Sequence, residues 1–171
     1  MLRLLQTFLD IAVWRKGPQD LPASRFLVAL VLCLYVAVSF VYTQLLDLRL
    51  RTAVPMIAID VLMLLGWLWA VLVFFSRRHR FLQTATSLLG IGVLFGAVNI
   101  VVRAVQLATE PARDLPFFWR AISFYALALM MGRIFMHALD RGLLMGMALT
   151  MAIVYSTNAV ALLMLTRIQG L

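Results

Sequence analysis

An acidic residue inside a long apolar run is the first feature of this sequence that could carry chemistry. Asp60 lies within residues 53–75, which read AVPMIAIDVLMLLGWLWAVLVFF. As a helix this run would extend roughly 34 Å, enough to cross a bilayer. A charged side chain at the centre of a membrane helix costs roughly 2.5–3.5 kcal/mol on insertion scales. Asp60 is therefore expected to face protein or water, and other helices must supply that environment.

Polar residues of other apolar runs fall at a similar depth. If each run is a helix, these residues lie within roughly 12 Å of the membrane face nearest to Asp60. Arg120 is the expected ion-pair partner of Asp60, and Arg103 is the competing partner. The amide and hydroxyl groups would add hydrogen bonds. The candidate buried polar cluster consists of Asp60, Arg120, Arg103, Asn99, Asn158 and Tyr125.

Three interpretations of this cluster follow from the chemistry of a carboxylate in hydrocarbon, which must be paired, hydrated or protonated. The preferred interpretation is a structural ion pair that holds the bundle together. The second is a site for a proton or a solute. The third is a protonated Asp60 without a partner.

Motifs for catalysis or metal binding are not evident. The sequence has no H-E-x-x-H, no G-x-S-x-G, no P-loop and no glycine-rich dinucleotide fingerprint. It has one cysteine, and its two histidines lie in different loops. Its ten methionines are typical filling for apolar interiors. The sequence therefore predicts a protein that is not an enzyme, with no catalytic residue, no cofactor and no metal ligand.

Composition identifies the elements that must position Asp60. The chain is 64% hydrophobic and 13% charged, whereas an ordinary soluble domain is about half apolar and about a quarter charged. We expect an all-α membrane protein in which residues 25–171 form one bundle of five transmembrane helices. The predicted spans are 26–46, 53–75, 82–102, 117–139 and 143–165. Basic residues lie mostly between these spans, so the net charge of +8 indicates contact with anionic lipid headgroups and not nucleic acid.

The segment before the first span is predicted to be a short amphipathic helix lying on the membrane, followed by a linker to residue 24. Apolar residues recur with a helical period in residues 1–16, which are too few and too polar to cross a bilayer. A second basic cluster lies in the loop after the second span. The predicted membrane-interface anchors are Trp14, Arg15, Lys16, Arg77, Arg78 and Arg80.

Small residues indicate where helices approach closely. Gly92 and Gly96 have the G-x-x-x-G spacing on the third span, which favours packing within the bundle, with self-dimerisation as the alternative. Ala148, Ala152 and Ser156 form a similar ladder on the fifth span.

Loop charge predicts the orientation. The loops on the N-terminal side of the membrane hold more Lys and Arg than those on the other side, which favours a cytoplasmic N-terminus and a periplasmic C-terminus. The string WRKGPQDLPAS, residues 14–24, resembles small uncharacterised inner-membrane proteins of proteobacteria. This resemblance implies no function. The predicted location is the bacterial inner (plasma) membrane.

Small size and short loops favour an accessory, assembly or scaffolding subunit of a larger membrane complex, with another integral membrane protein as its partner. The alternative is a small transporter or channel that uses the polar site around Asp60. A second alternative is a lipid-modifying membrane enzyme.

Overall fold

Five long helices account for most of the chain in a computed structural model. The structure describes residues 6, 8, 10, 11, 17–108 and 115–169, apart from the side chains of residues 115–117, 120, 168 and 169. A short 3₁₀ turn, Pro18–Asp20, precedes the bundle, and a second, Arg78–Arg80, lies between the second and third long helices. The long helices are α1 Arg25–Leu45, α2 Leu50–Phe74, α3 Phe81–Ala108, α4 Leu115–Leu139 and α5 Leu143–Gln169.

All five helices are long and apolar enough to cross a membrane, with mean hydropathy between 1.5 and 2.4 in their most apolar windows. The predicted all-α fold with five spans is confirmed, and it fits a multi-pass membrane protein. The boundaries differ most in α3, which continues to Ala108 instead of ending at residue 102. Residues 103–108 contain no proline or glycine, so nothing in them ends the helix where the apolar run ends.

The helices pack in a ring. The most extensive contacts are those of α1 with α3 and of α4 with α5. The packing of α3 on α4 and of α5 on α2 links these pairs, and a smaller contact between α2 and α1 closes the ring. We call the end that holds the α1–α2 loop the open end. The end that holds the α2–α3 and α4–α5 loops is called the closed end.

Glycines allow a close approach in two helix pairs. A Cβ on Gly92 would collide with the ring of Tyr35, and one on Gly96 would collide with Val38, so both glycines pack α3 against α1 within the bundle. In the α4–α5 hairpin, a Cβ on Gly146 would collide with the carbonyl oxygen of Gly132.

The predicted ladder on α5 does not make that approach. Ala148 and Ala152 are exposed, and Ser156 is half-buried. The face of α5 that packs against α4 instead carries Gly146 and Thr150, and Thr150 is fully buried. At about 100° per residue, the ladder residues lie roughly 140° around the helix from this face. An apolar helix with little amphipathic contrast does not reveal which of its faces packs.

Ionic contacts join the two loops of the closed end. Arg77 and Arg80 both pair with Asp140, at 3.0 and 3.1 Å. Arg80 also donates to the carbonyl oxygens of His137 and Ala138, at 2.9 and 3.1 Å, and so caps the C-terminus of α4. Two of the predicted membrane anchors thus hold loops together. Arg78 is exposed, while Trp14, Arg15 and Lys16 lie outside the described residues.

The segment before α1 covers this end from the side. Leu21 is buried, and its carbonyl oxygen accepts a hydrogen bond of 2.9 Å from Gln83. Most of the predicted interfacial helix, residues 1–16, lies outside the described residues. Of its described members, Phe8 packs over Gly90, and Ile11 is buried in the same core. These two side chains therefore contact the bundle itself.

Replacing Gly146 by Ala should destabilise the protein by about 1–3 kcal/mol, because the added methyl group meets backbone of α4, which cannot rotate away. Gly66→Ala is the matched control, since a Cβ there meets nothing within 4 Å and alanine favours a helix. Unfolding by SDS titration measures the free energy of unfolding of both variants. Equal free energies of unfolding for the two variants would contradict this packing.

The Asp140 ion pairs should make stability depend on pH. Its hydrogen bond from Arg80 lowers the pKa of Asp140 below the ordinary range. The contribution of Asp140 to the free energy of unfolding is therefore complete above the ordinary pKa of about 3.9. It is lost as the pH falls through the lower pKa of the folded state. The melting temperature of Asp140→Asn should fall below that of the wild type at pH 7, and the gap should close below about pH 4. Asp140 has a positive φ, which asparagine also tolerates.

Asp47→Asn is the control for this pH series. Asp47 ends α1 with the same left-handed conformation but makes no ion pair with the described residues. A gap in melting temperature that does not narrow as the pH falls below about 4, or an equal gap for Asp47→Asn, would contradict the role of the ion pairs.

Candidate functional site

A cavity of about 440 Å³ enters the bundle at the open end, and all five helices contribute to its wall. A smaller cavity of about 190 Å³ lies beneath it and shares six lining residues with it, among them Tyr35 and Asp60. The lower cavity ends on Leu64, Leu88, Met131 and Ile153. The polar side chains that line the upper cavity are Tyr35, Ser39, Tyr42, Thr43, Asp60, Asn99, Ser123, Thr157 and Asn158.

Asp60 lies where the two cavities meet, and its partner is a tyrosine. The hydroxyl group of Tyr35 on α1 donates to Oδ2 of Asp60 on α2. The Tyr35 ring reaches this position because Gly92 on α3 leaves room for it. Three helices therefore determine one hydrogen bond, and the second carboxylate oxygen has no hydrogen-bond partner among the described residues.

Of the two predicted basic partners of Asp60, the structure describes the side chain of Arg103 alone, and that side chain bonds elsewhere. Arg103 donates from Nε to the carbonyl oxygen of Leu45, at 3.4 Å, near the C-terminus of α1. Arg103 directly follows the predicted apolar run, and from there its long side chain reaches this helix end, whose unpaired carbonyl groups attract cations. Arg120 lies on α4, and its side chain is outside the described residues.

Three other members of the predicted cluster are divided between the cavity and the outer surface. Asn99 lines the cavity, where its Oδ1 accepts a hydrogen bond of 2.9 Å from the Trp119 indole. Asn158 lies at the rim, and its amide donates to the carbonyl oxygen of Val154. Tyr125 is 67% exposed and lies away from the cavity, because it faces outward on α4.

Six polar residues of the cavity wall lie outside the predicted cluster: Tyr35, Ser39, Tyr42, Thr43, Ser123 and Thr157. A signal was present for α1, since Tyr35, Ser39 and Thr43 recur every four residues and so share one face of a helix. Ser123 on α4 and Thr157 on α5 do not belong to such a repeating pattern. Oγ of Ser123 is buried and has no hydrogen-bond partner among the described residues, so this wall of the cavity keeps a polar group available.

The charge in the described cavity lining comes from one residue. Asp60 is the one charged residue in the described lining of both cavities. Aromatic and apolar side chains, including Phe95, Phe124 and Leu127, form much of the remaining wall. A carboxylate in such surroundings attracts a cation or a hydrogen-bond donor. No group of three His, Cys, Asp or Glu side chains among the described residues could hold a metal ion.

Comparison of the chain with protein family models, curated proteins and solved structures found no match. A functional interpretation therefore depends on the geometry of the cavity.

Replacing Tyr35 by Phe should lower the free energy of unfolding by about 1 kcal/mol, because Asp60 loses its donor, although water in the cavity replaces part of that bond. Tyr125→Phe is the control, since that hydroxyl group is exposed and should change stability by less than about 0.5 kcal/mol. Unfolding by SDS titration compares the two. An effect of Tyr125→Phe as large as that of Tyr35→Phe would contradict the assignment.

Proposed function

We propose that this protein is a small transporter whose cavity binds a small organic cation, with Asp60 as the counter-ion. The observation that carries the proposal is the lining of the cavity. It combines one carboxylate with neutral polar and aromatic groups, and no described basic side chain neutralises that carboxylate.

The size and chemistry of the cavity suit such a ligand. A volume of about 440 Å³ falls within the range of small-molecule sites, roughly 300–1,000 Å³. Tyr42, Phe95 and Phe124 line the same cavity as Asp60, and the faces of aromatic rings attract ammonium groups. The hydroxyl and amide groups around the rim supply acceptors for the hydrogen atoms of a protonated amine.

The structural ion-pair interpretation has less support. It needs a basic side chain within reach of Asp60, and the described residues offer Tyr35 instead. A hydrogen bond from a neutral donor leaves the charge of a carboxylate available to a ligand, whereas a salt bridge would neutralise it.

The two ends of the bundle support a one-sided site. Beneath the lower cavity, Leu68, Leu89 and Phe135 have no exposed surface and fill the interior. A continuous pore through one molecule is therefore not favoured, and transport would require rearrangement of the closed end. With the predicted cytoplasmic N-terminus, the cavity would open to the periplasm of a bacterial inner membrane.

The accessory-subunit hypothesis and the lipid-modifying enzyme hypothesis stay predictions. Copurification with another membrane protein at fixed stoichiometry would favour the subunit. Such a result is compatible with a solute site, so it would not replace the binding experiment below.

In lipid nanodiscs, the protein should bind n-butylammonium, as measured by isothermal titration calorimetry. Asp60→Asn should weaken this binding at least tenfold, because it removes the charge with little change of shape, and one lost ionic interaction of about 1.4 kcal/mol is a factor of ten. Asp47→Asn, in the exposed α1–α2 loop, is the matched control and should bind as the wild type does.

Uptake of the same amine into liposomes that contain the protein extends the test from binding to transport. Failure of the wild type to bind, or equal binding by Asp60→Asn, would overturn the cation site. Binding without uptake would overturn the assignment as a transporter.

A further inference from the structure

An apolar groove of about 430 Å³ runs between α1 and α2 on the outer surface of the bundle. All of its lining side chains are apolar. They are Leu32, Val36 and Phe40 of α1, with Val54, Ile57, Ala58, Val61 and Leu62 of α2. The groove forms because α1 packs mainly on α3 and α2 mainly on α5, which leaves the contact between α1 and α2 small.

The groove adjoins the cavity. Ile57 lines both, and it is 9% exposed, so its side chain stands between the two spaces. Three residues later on α2, Asp60 faces the cavity, while its neighbour Val61 faces the groove. The carboxylate and the apolar furrow thus lie on adjacent faces of the same helix turn.

This continuity indicates what kind of molecule would occupy the groove. A membrane-spanning helix, about 10 Å wide with its side chains, would cover the furrow without extending past Ile57 towards the carboxylate. An alkyl chain is narrow and apolar, and it matches a wall without polar groups. A head group attached to that chain would lie on the other side of Ile57, where the polar side chains and Asp60 are.

We propose that the groove binds the alkyl chain of an amphiphile whose protonated amine head lies in the cavity beside Asp60. The proposal rests on the proposed function and specifies its substrate class as an alkylamine-type amphiphile. Such a ligand enters sideways from the lipid, between α1 and α2 at Ile57, rather than from the water at the open end. Displacement of Ile57 opens the passage.

Photo-crosslinking tests this placement. The probe is dodecylammonium with a diazirine near the end of its chain, added to the protein in phosphatidylcholine vesicles. Adducts located by mass spectrometry should concentrate on the groove residues of α1 and α2. Ala58→Trp fills the groove and should reduce these adducts at least fivefold. Ala37→Trp is the matched control, because Ala37 is exposed, does not line the groove, and lies as far from the end of α1 as Ala58 lies from the start of α2.

The head group is located by the same probe. Asp60→Asn should also reduce the groove adducts, while Ala37→Trp should leave them unchanged. Ala58→Leu fills less of the groove and should give an intermediate reduction, which keeps the test valid if Ala58→Trp fails to fold. Adducts spread evenly over lipid-facing residues, or groove adducts insensitive to filling or to Asp60→Asn, would overturn the inference.

Binding of n-butylammonium distinguishes failure of the groove proposal from failure of the proposed function. If the wild type binds the short amine with the expected dependence on Asp60 but the groove adducts do not form, the cation site stands and the chain site is overturned. If the short amine does not bind, the cation site is overturned and the amphiphile proposal is overturned with it.

Discussion

A carboxylate within a membrane-spanning helix sets the main constraint on this bundle. Low-dielectric surroundings penalise a bare charge far more than water does, so the chain must bring polar groups or water to the depth of Asp60. The bundle meets this need with a hydroxyl group from α1 and a cavity open at one end, rather than with a basic partner among the described residues. Polar groups from all five helices line that cavity.

The two halves of the bundle have different roles: one holds the helices together, and the other contains the cavity. In the closed half, glycines bring α4 and α5 into backbone contact, and Arg80 and Asp140 tie the loops together. The core side chains Leu68, Leu72, Leu89 and Phe135 are fully buried there. This packing holds the helices in place around the cavity at the other end. A uniformly packed bundle would have left no room for water or a ligand beside Asp60.

Sequence reasoning predicted the helices well because length and hydropathy determine membrane spans directly. It placed Asp60, Asn99 and Asn158 near one another by depth alone, and the structure places all three in the cavity wall. The depth of a residue in the membrane does not show which side of its helix the residue faces. Tyr125 was therefore grouped with them although it faces outward. Arg103 was misassigned for a different reason: a long side chain near a helix end can reach a neighbouring C-terminus. Tyr35 was not predicted as a partner of Asp60, because depth along α1 does not show which of its side chains face α2.

Access of water to the cavity is the central claim, and cysteine labelling measures it most directly. With Cys33 replaced by Ala, a Thr157→Cys variant places a thiol in the cavity wall, whereas an Ala152→Cys variant places one on the exposed outer face of the same helix. A water-soluble, membrane-impermeant thiol reagent applied to the reconstituted protein should react readily at position 157 and poorly at position 152. Reaction at position 157 no faster than at position 152 would contradict a hydrated cavity around Asp60.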